Sequence, residues 1–258
     1  MINYLKSEFY RIFHAKSTYL FIIICSALLI SASILLAIVK LSEPDFPYAT
    51  TYFAISLMIS NVMIVYFLCI TVSNMIFGNE HTNHTLKNTI SYGISRSTIY
   101  FGKLMVQIVY AFLAFALIVG CYIGSSYLLL ENSGPEIMEL LFKMYAAVVP
   151  MFLFALAATN CFTFIMDSEA GSIAATCGLM IGFPIVTGFL GMKFEFINKI
   201  SNITPWNLIG NIDIDFENYV LTLFWQENGH VKYWIAGLAQ MLIVVIVGFV
   251  VFRKKEIK

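Results

Sequence analysis

Residues 104–130 read LMVQIVYAFLAFALIVGCYIGSSYLLL, a run of twenty-seven residues without one Asp, Glu, Lys, Arg or His. Wound as an α-helix at about 1.5 Å per residue, it is long enough to cross the roughly 30 Å hydrocarbon core of a bilayer, for which about 20 apolar residues suffice. Comparable charge-free runs fall at approximately 18–39, 52–77, 144–166, 171–191 and 233–252, so the chain reads as six membrane spans. The composition agrees. Of 258 residues, 60% are hydrophobic and 12% charged, against about 25% charged in an ordinary soluble domain. Net charge is zero, so bulk electrostatics points to neither nucleic acid nor an acidic ligand.

Six spans put both termini on one side. Grouping the termini with the 78–103 segment and the Asp167-Ser168-Glu169 turn places Lys6, Arg11, Lys16, Lys87, Arg96, Lys103, Arg253, Lys254, Lys255 and Lys258 together. The other side keeps Lys40, Lys143, Lys193, Lys199 and Lys232. Ten basic residues against five make the first side cytoplasmic by the positive-inside rule. The expected location is the cell membrane, multi-pass, with both termini inside.

The 78–103 segment, GNEHTNHTLKNTISYGISRSTIYFGK, is the long polar stretch of the first half that carries more positive than negative charge. Between two spans it reads as a cytoplasmic loop large enough to meet a partner. Its apolar residues Leu86, Ile90, Ile94 and Ile99 roughly follow helical spacing, which predicts a short helix with one sticky face. At the N-terminus, Ile2, Leu5, Phe9, Ile12 and Phe13 recur at spacings near three and four with Lys6, Arg11 and His14 between them. Residues 1–16 therefore read as an amphipathic helix in the inner leaflet, the alternative being a frayed tail. The apolar run that follows is about twice the 7–15 residues of a signal core and no small-x-small site closes it, so it is read as a retained span.

Little in the chain can do chemistry. There is no GxxxxGK[ST] loop, HExxH, GxSxG or CxxC pair. His81 and His84 beside Glu80 lack a further ligand set, so no metal is expected. Asp213-Ile214-Asp215-Phe216-Glu217 lacks the glycine turn and frame of a calcium loop and reads as a solvated face. Cys25, Cys69, Cys121, Cys161 and Cys177 all fall within spans with no paired spacing, as small apolar fillers.

The span interiors hold no ionisable group, which disfavours a proton- or ion-coupled transporter. Their polar content is neutral: Ser31 and Ser33, Ser60 and Asn61, Thr71, Ser73 and Asn74, Gln107, Thr159 and Asn160, Thr176 and Gln240. These residues either pack helices together or line a path. Gly120 and Gly124 form one GxxxG, and the fifth span carries Gly171, Ala174, Ala175, Gly178, Gly182, Gly188 and Gly191 with Pro184 near its middle. The fifth span is the candidate for a dimer seam or a bent gate, although packing within one subunit explains the glycines equally. Pro184 is expected to kink or interrupt it. Residues 192–232 hold short hydrophobic pieces broken by Pro and Asn, with Trp206 and Trp225 placed for the headgroup level. They read as extracellular, interfacial or re-entrant helices rather than a folded domain.

These features resemble the permease subunit of a type-2 ABC exporter. The likeness rests on the amphipathic first helix, six spans, a loop of the form E-x₄-T-L-K…S-R…G-K (Glu80, Thr85, Leu86, Lys87, Ser95, Arg96, Gly102, Lys103) and a Pro-Trp re-entrant region between spans five and six. The family often has glycine before the Thr-Leu pair, where this chain has His84. The resemblance implies an all-α membrane protein of one domain, residues 1–258, with six transmembrane helices, an N-terminal amphipathic interfacial helix and a re-entrant region. It implies that the 78–103 segment is a coupling helix docking on a separate ATPase subunit through Glu80, Thr85, Leu86, Lys87, Ser95, Arg96 and Lys103, with Asp167 and Glu169 at the neighbouring turn. ATP and Mg would be bound by that partner, and this chain would hold no cofactor. A second copy or close relative would meet it along the first and fifth spans, around a path with Ser31, Ser33, Asn61, Gly178, Gly182 and Pro184 as candidates. Compact permeases of this kind resemble exporters of antimicrobial or toxin peptides and drugs, which implies an amphipathic or hydrophobic substrate. The competing readings are a membrane-embedded enzyme, with Asp167 and Glu169 as its acids, and a structural or sensory membrane subunit.

Overall fold

In the computed structural model, residues 2–83 and 85–255 are described, with the side chains of 78–83 and 85 left aside. The side chains of Glu80, His81 and Thr85, with Met1, His84 and residues 256–258, lie outside that description. The first helix, α1 (Ile2–His14), turns at Ala15 into α2 (Lys16–Ser42). The corner is tied by the Thr18 hydroxyl, which donates to the Ile12 carbonyl at 2.8 Å. Then come α3 (Thr51–Ser60), α4 (Met63–Asn83), α5 (Thr85–Ser91), α6 (Arg96–Leu129) and α7 (Glu136–Ile165). The fifth span joins α8 (Glu169–Cys177), a π-helical turn (Gly178–Gly182) and α9 (Phe183–Gly191). It is followed by α10 (Glu195–Asn202), α11 (Pro205–Gly210), a hairpin of β1 (Asp213–Asp215) and β2 (Val220–Thr222), and α12 (Gly229–Lys254).

Among the described residues five helices are long and apolar enough to cross a membrane, or six if the bent pair α3–α4 is counted as one span. The expected uninterrupted span over 52–77 is thus corrected, because it breaks at Asn61–Val62 with a 64° bend between Thr51–Ser60 and Met63–Phe77. No proline causes the break. The Asn61 amide donates to the Leu57 carbonyl at 2.8 Å, and the Val62 N–H turns back to Ile59 at 3.3 Å. A local side-chain bond and a tightened backbone turn replace the α-ladder there. The α-helix of the fifth span is interrupted beside Pro184 by a π turn over Gly178–Gly182. Pro184 sits in the first turn of α9, directly after the π turn, which absorbs the missing N–H bond.

The bundle is built on α7, the best buried of the spans. Ala147, Ala155, Ala157 and Ala158 are wholly enclosed, so neighbouring backbones come close. α12 runs beside α7, with Gly237 against Pro150 and Gly248 against Cys161 and the Tyr100 hydroxyl. A Cβ on Gly237 would lie 2.7 Å from the Pro150 Cβ, and one on Gly248 the same distance from the Cys161 Sγ. Both contacts recur after about three helical turns on each helix, so the two run parallel in fixed register. α2 instead packs on α6 with Thr18, Ser26 and Ser33, and leaves Leu20, Ile23, Ile24, Leu28 and Leu35 exposed.

At the end remote from the termini, Lys40 pairs with Glu131 at 3.3 Å. The Glu131 backbone bonds both Ala49 and Thr51. Over 192–232, α10 folds back on α9, where a Cβ on Gly191 would lie 2.9 Å from the Asn198 Cα. The turn into α11 reaches Gln240, whose Nε2 donates to the Ile203 carbonyl at 2.8 Å, about 16 Å along α12 from its start. Trp206, expected at the headgroup level, packs edge-on against Tyr66 and Phe67 of α4 at 6.3 and 6.2 Å. The β-hairpin departs from the all-α expectation. Its acid–apolar alternation has the period of two that a strand requires.

Candidate functional site

The end of the bundle that carries both termini is built from polar cross-links. Around α5, Leu86, Ile90 and Ile94 pack inward on the core, leaving Lys87, Asn88, Ser91 and Tyr92 outward, with Tyr92 87% exposed. The sticky face read from the sequence therefore belongs to the chain's own core, and the surface left to a partner is polar with one aromatic ring. Ile99 is wholly buried in α6. Gly93 takes φ +85°, a conformation glycine adopts without steric cost. Ser95 then caps α6, its Oγ accepting from the Thr98 N–H at 3.2 Å.

Arg96 is the first residue of α6, and its guanidinium turns towards the end of α12. Its Nη1 donates to the carbonyls of Phe252, Arg253 and Lys255 at 2.9, 2.8 and 2.7 Å. These belong to the last turn of α12 and the residue that caps it, where unsatisfied carbonyls and the helix dipole attract a cation. Lys255 repeats the device on α7, donating to Ile165 O at 2.8 Å and pairing with Asp167 at 2.7 Å. Ser168 caps α8 by accepting from the Gly171 N–H at 3.1 Å, and Glu169 stands exposed in its first turn. Arg96, Lys255 and Asp167 thus staple the ends of α6, α12, α7 and α8.

Lys103 is not a surface residue. It is wholly buried, and its Nζ lies 2.9 Å from the Glu8 Oε2. Glu8 also pairs with Arg11 at 2.6 Å, and Arg11 donates to the Ile76 carbonyl at 2.8 Å. The Phe77 ring lies 5.1 Å from the ammonium. Beside it, Gly102 lets the Tyr4 ring come within 2.9 Å of where a Cβ would stand. The segment 78–103 is largely helical: α4 runs to Asn83, the short α5 spans Thr85–Ser91 and α6 begins at Arg96. The charge-free runs themselves stay as read, since Lys103 precedes the run 104–130 and Glu8 lies in α1, although α6 begins before that run and carries Lys103 in its second turn. Between α1 and the α5–α6 turn lies an open cleft of about 510 Å³, lined by Asn3, Ser7, Gly93, Ser95 and Thr98 among others.

The candidates for a path or seam divide. Ser33 is buried against Ser125 and Ser126 of its own α6, at 3.2 and 3.3 Å, so it faces inward. Ser31 is exposed and bonds only locally, to the Leu28 carbonyl at 2.7 Å. Asn61 is exposed at the α3–α4 bend. Gly178 and Gly182 have open space where a Cβ would stand, as do Gly120 and Gly124, whereas Pro184 is buried. Gln107 and Thr159 bond each other at 2.8 Å inside the bundle. Among the described residues no cluster of His, Cys, Asp or Glu could hold a metal.

The sequence of residues 4–183, from α1 through the π turn to the first residue of α9, matches the family described as ABC-2 family transporter protein. The chain belongs to that family. No curated protein and no solved structure matches it. Membership makes it a multi-pass membrane permease, a transport subunit without a catalytic domain, of the kind that pairs with ATPase subunits. The membrane-embedded enzyme with Asp167 and Glu169 as its acids is thereby set aside, and Asp167 is accounted for as a partner of Lys255. The Arg96 and Lys103 contacts carried no local signal, since their partners lie 95 or more residues away.

Proposed function

We propose that this ABC-2 permease is the membrane half of an ATP-driven exporter. Two copies, or one copy and a close relative, meet along α2 and the fifth span in the cell membrane and move an amphipathic peptide or other hydrophobic molecule outward. Both termini face the cytoplasm. There the α5–α6 turn receives a separate ATPase subunit, which binds ATP and Mg. The observation that carries this reading is the exposed tip Lys87–Tyr92 mounted on a cross-linked base. A push on the tip is not absorbed locally, because Leu86, Ile90 and Arg96 bind it to the core and to α12. The open glycines of the fifth span and the exposed apolar face of α2 support a seam there.

Residues Lys87 and Tyr92 test the reading better than Arg96, whose removal would also disturb α12. K87E and Y92A should abolish co-purification with the ATPase subunit or its stimulation by the permease, while membrane insertion and thermal unfolding stay unchanged. Retained pairing in both variants would move the docking site away from α5. Topology is checked with single cysteines in a cysteine-free background. One at Asn88 should be shielded from an impermeant external thiol reagent in intact cells, and one at Asn218 should be labelled.

A further inference from the structure

The first helix offers a surface that the ATPase reading does not use. Glu8 is the only acid among residues 1–42, and the fold turns it inward onto Lys103 and Arg11. What α1 presents outward is Ile2, Tyr10 and Phe13, 70%, 66% and 41% exposed, with Lys6 and His14 exposed among them. Lys16 follows, exposed, at the first residue of α2. Burial of Glu8 thus makes a helix of mixed sequence charge cationic on its outer face.

Connectivity fixes where that face lies. α2 is a membrane span, and the corner leading into it is tied by Thr18, whose carbonyl also accepts from the Tyr110 hydroxyl of α6 at 3.1 Å. α1 is therefore held at the membrane boundary by its own chain, docked on α6 through Tyr4 at Gly102 and Glu8 at Lys103. Apolar and aromatic side chains beside lysines at that depth match an interface in which rings enter the acyl boundary and ammonium groups meet headgroups.

We propose that the outer face of α1 is a binding surface for anionic phospholipid, with Lys6 and Lys16 taking headgroup phosphates and Ile2, Tyr10 and Phe13 taking the acyl boundary. The buried Glu8–Lys103 pair is what gives this surface its charge, so docking of α1 and lipid selection are linked. The test needs no ATPase subunit and no export substrate. The full chain in an uncharged maltoside detergent is offered equimolar phosphatidylglycerol and phosphatidylcholine, and retained lipid is counted by native mass spectrometry. The wild type should prefer phosphatidylglycerol. K6Q/K16Q should lower that preference roughly 25-fold, at about fivefold for each cation near an anionic surface, while K6R/K16R keeps it. Glycerol phosphate, which has the charge without acyl chains, should not compete. Equal retention of the two lipids would overturn the proposal, as would displacement by glycerol phosphate. So would a preference lost in R253Q/K254Q but kept in K6Q/K16Q. Protection of Lys6 from acylation by the ATPase subunit, with no lipid preference, would instead assign this face to the protein partner.

Discussion

The seam between α7 and α12 and the middle of the fifth span are made of the same materials, and the molecule uses them in opposite ways. Gly237 and Gly248 are filled by Pro150, Cys161 and Tyr100 of the same chain. Gly178 and Gly182 stand with nothing within 4 Å of where a Cβ would be. A glycine allows two backbones to approach, but only the second backbone decides whether that allowance is used. Half of the molecule is consequently closed, with α1, α6, α7 and α12 locked by glycine notches and polar staples. The fifth span and α2 keep surfaces that their own chain does not cover.

The sharpest way to break that contrast is at Glu8. Glu8→Gln removes the carboxylate that faces the buried Lys103 ammonium, and breaking a buried pair from one side costs about 3–5 kcal/mol. Thermal unfolding in detergent should therefore fall strongly. The double variant E8Q/K103M should regain most of the loss, because neither charge is then buried alone. An E8Q protein as stable as the wild type would show that α1 is not locked to the closed half.

A smaller effect separates the two kinds of glycine directly. Gly237→Val drives side-chain carbons into Pro150 and should cost about 1–3 kcal/mol by overpacking. Gly178→Val should leave the unfolding of the single chain unchanged and weaken pairing of two copies, read by cross-linking of cysteines along the fifth span. If G178V unfolds as easily as G237V, the fifth span is as closed as the seam and the comparison fails.

Much of this was legible in the sequence because bilayers impose a length. Five of the six charge-free runs match continuous spans, since about 20 apolar residues in register can do little else. The bend at Asn61 was hidden, because Ser60 and Asn61, although residues that favour caps and turns, also serve within membrane spans as helix-packing groups, and neither Gly nor Pro marks the break. The N-terminal stripe was visible as a period but not as a division of labour. Ile12 goes into the protein, Ile2 and Phe13 go outward; the spacing sets Ile12 roughly 80–100° from the other two, but it does not say which edge of the stripe meets the protein. Lys103 and Arg96 looked like surface cations for a related reason. Their partners, a carboxylate on α1 and carbonyls on α12, are tertiary, and backbone carbonyls leave no mark on a sequence.

The staple at Lys255 is worth less than the Glu8 pair, since its Asp167 partner is exposed and screened. Lys255→Gln should cost about 1–2 kcal/mol, mostly through the bond to Ile165, and hydrogen exchange should rise over 166–172. Lys255→Arg should restore protection. Unchanged exchange in K255Q would detach the α7–α8 turn from the closed half.

The smallest expected effect lies at the hairpin, whose β2 packs on α7 of the closed half and whose turn is held where Tyr52 of α3 donates to the Phe216 carbonyl at 3.1 Å. Asp215 accepts from the Asn218 side chain at 2.7 Å and from the N–H groups of Asn218 and Glu217 at 3.0 Å each. The Asn218 side-chain bond foremost, then the backbone bonds, hold its carboxyl below the ordinary aspartate value. A carboxyl lowered in the folded state stabilises the turn above its unfolded value, and that contribution is lost as the pH falls through the folded one. Nothing should therefore change between neutral pH and about pH 5, and the turn should loosen only in stronger acid. The Asp215 carboxyl resonance should titrate below the ordinary aspartate value in the wild type and return towards it in Asn218→Ala. Because the group is exposed, overall unfolding should not move. A titration already at the ordinary value in the wild type would mean that these bonds do not persist in solution, and that the hairpin is a loose cover rather than part of the closed half.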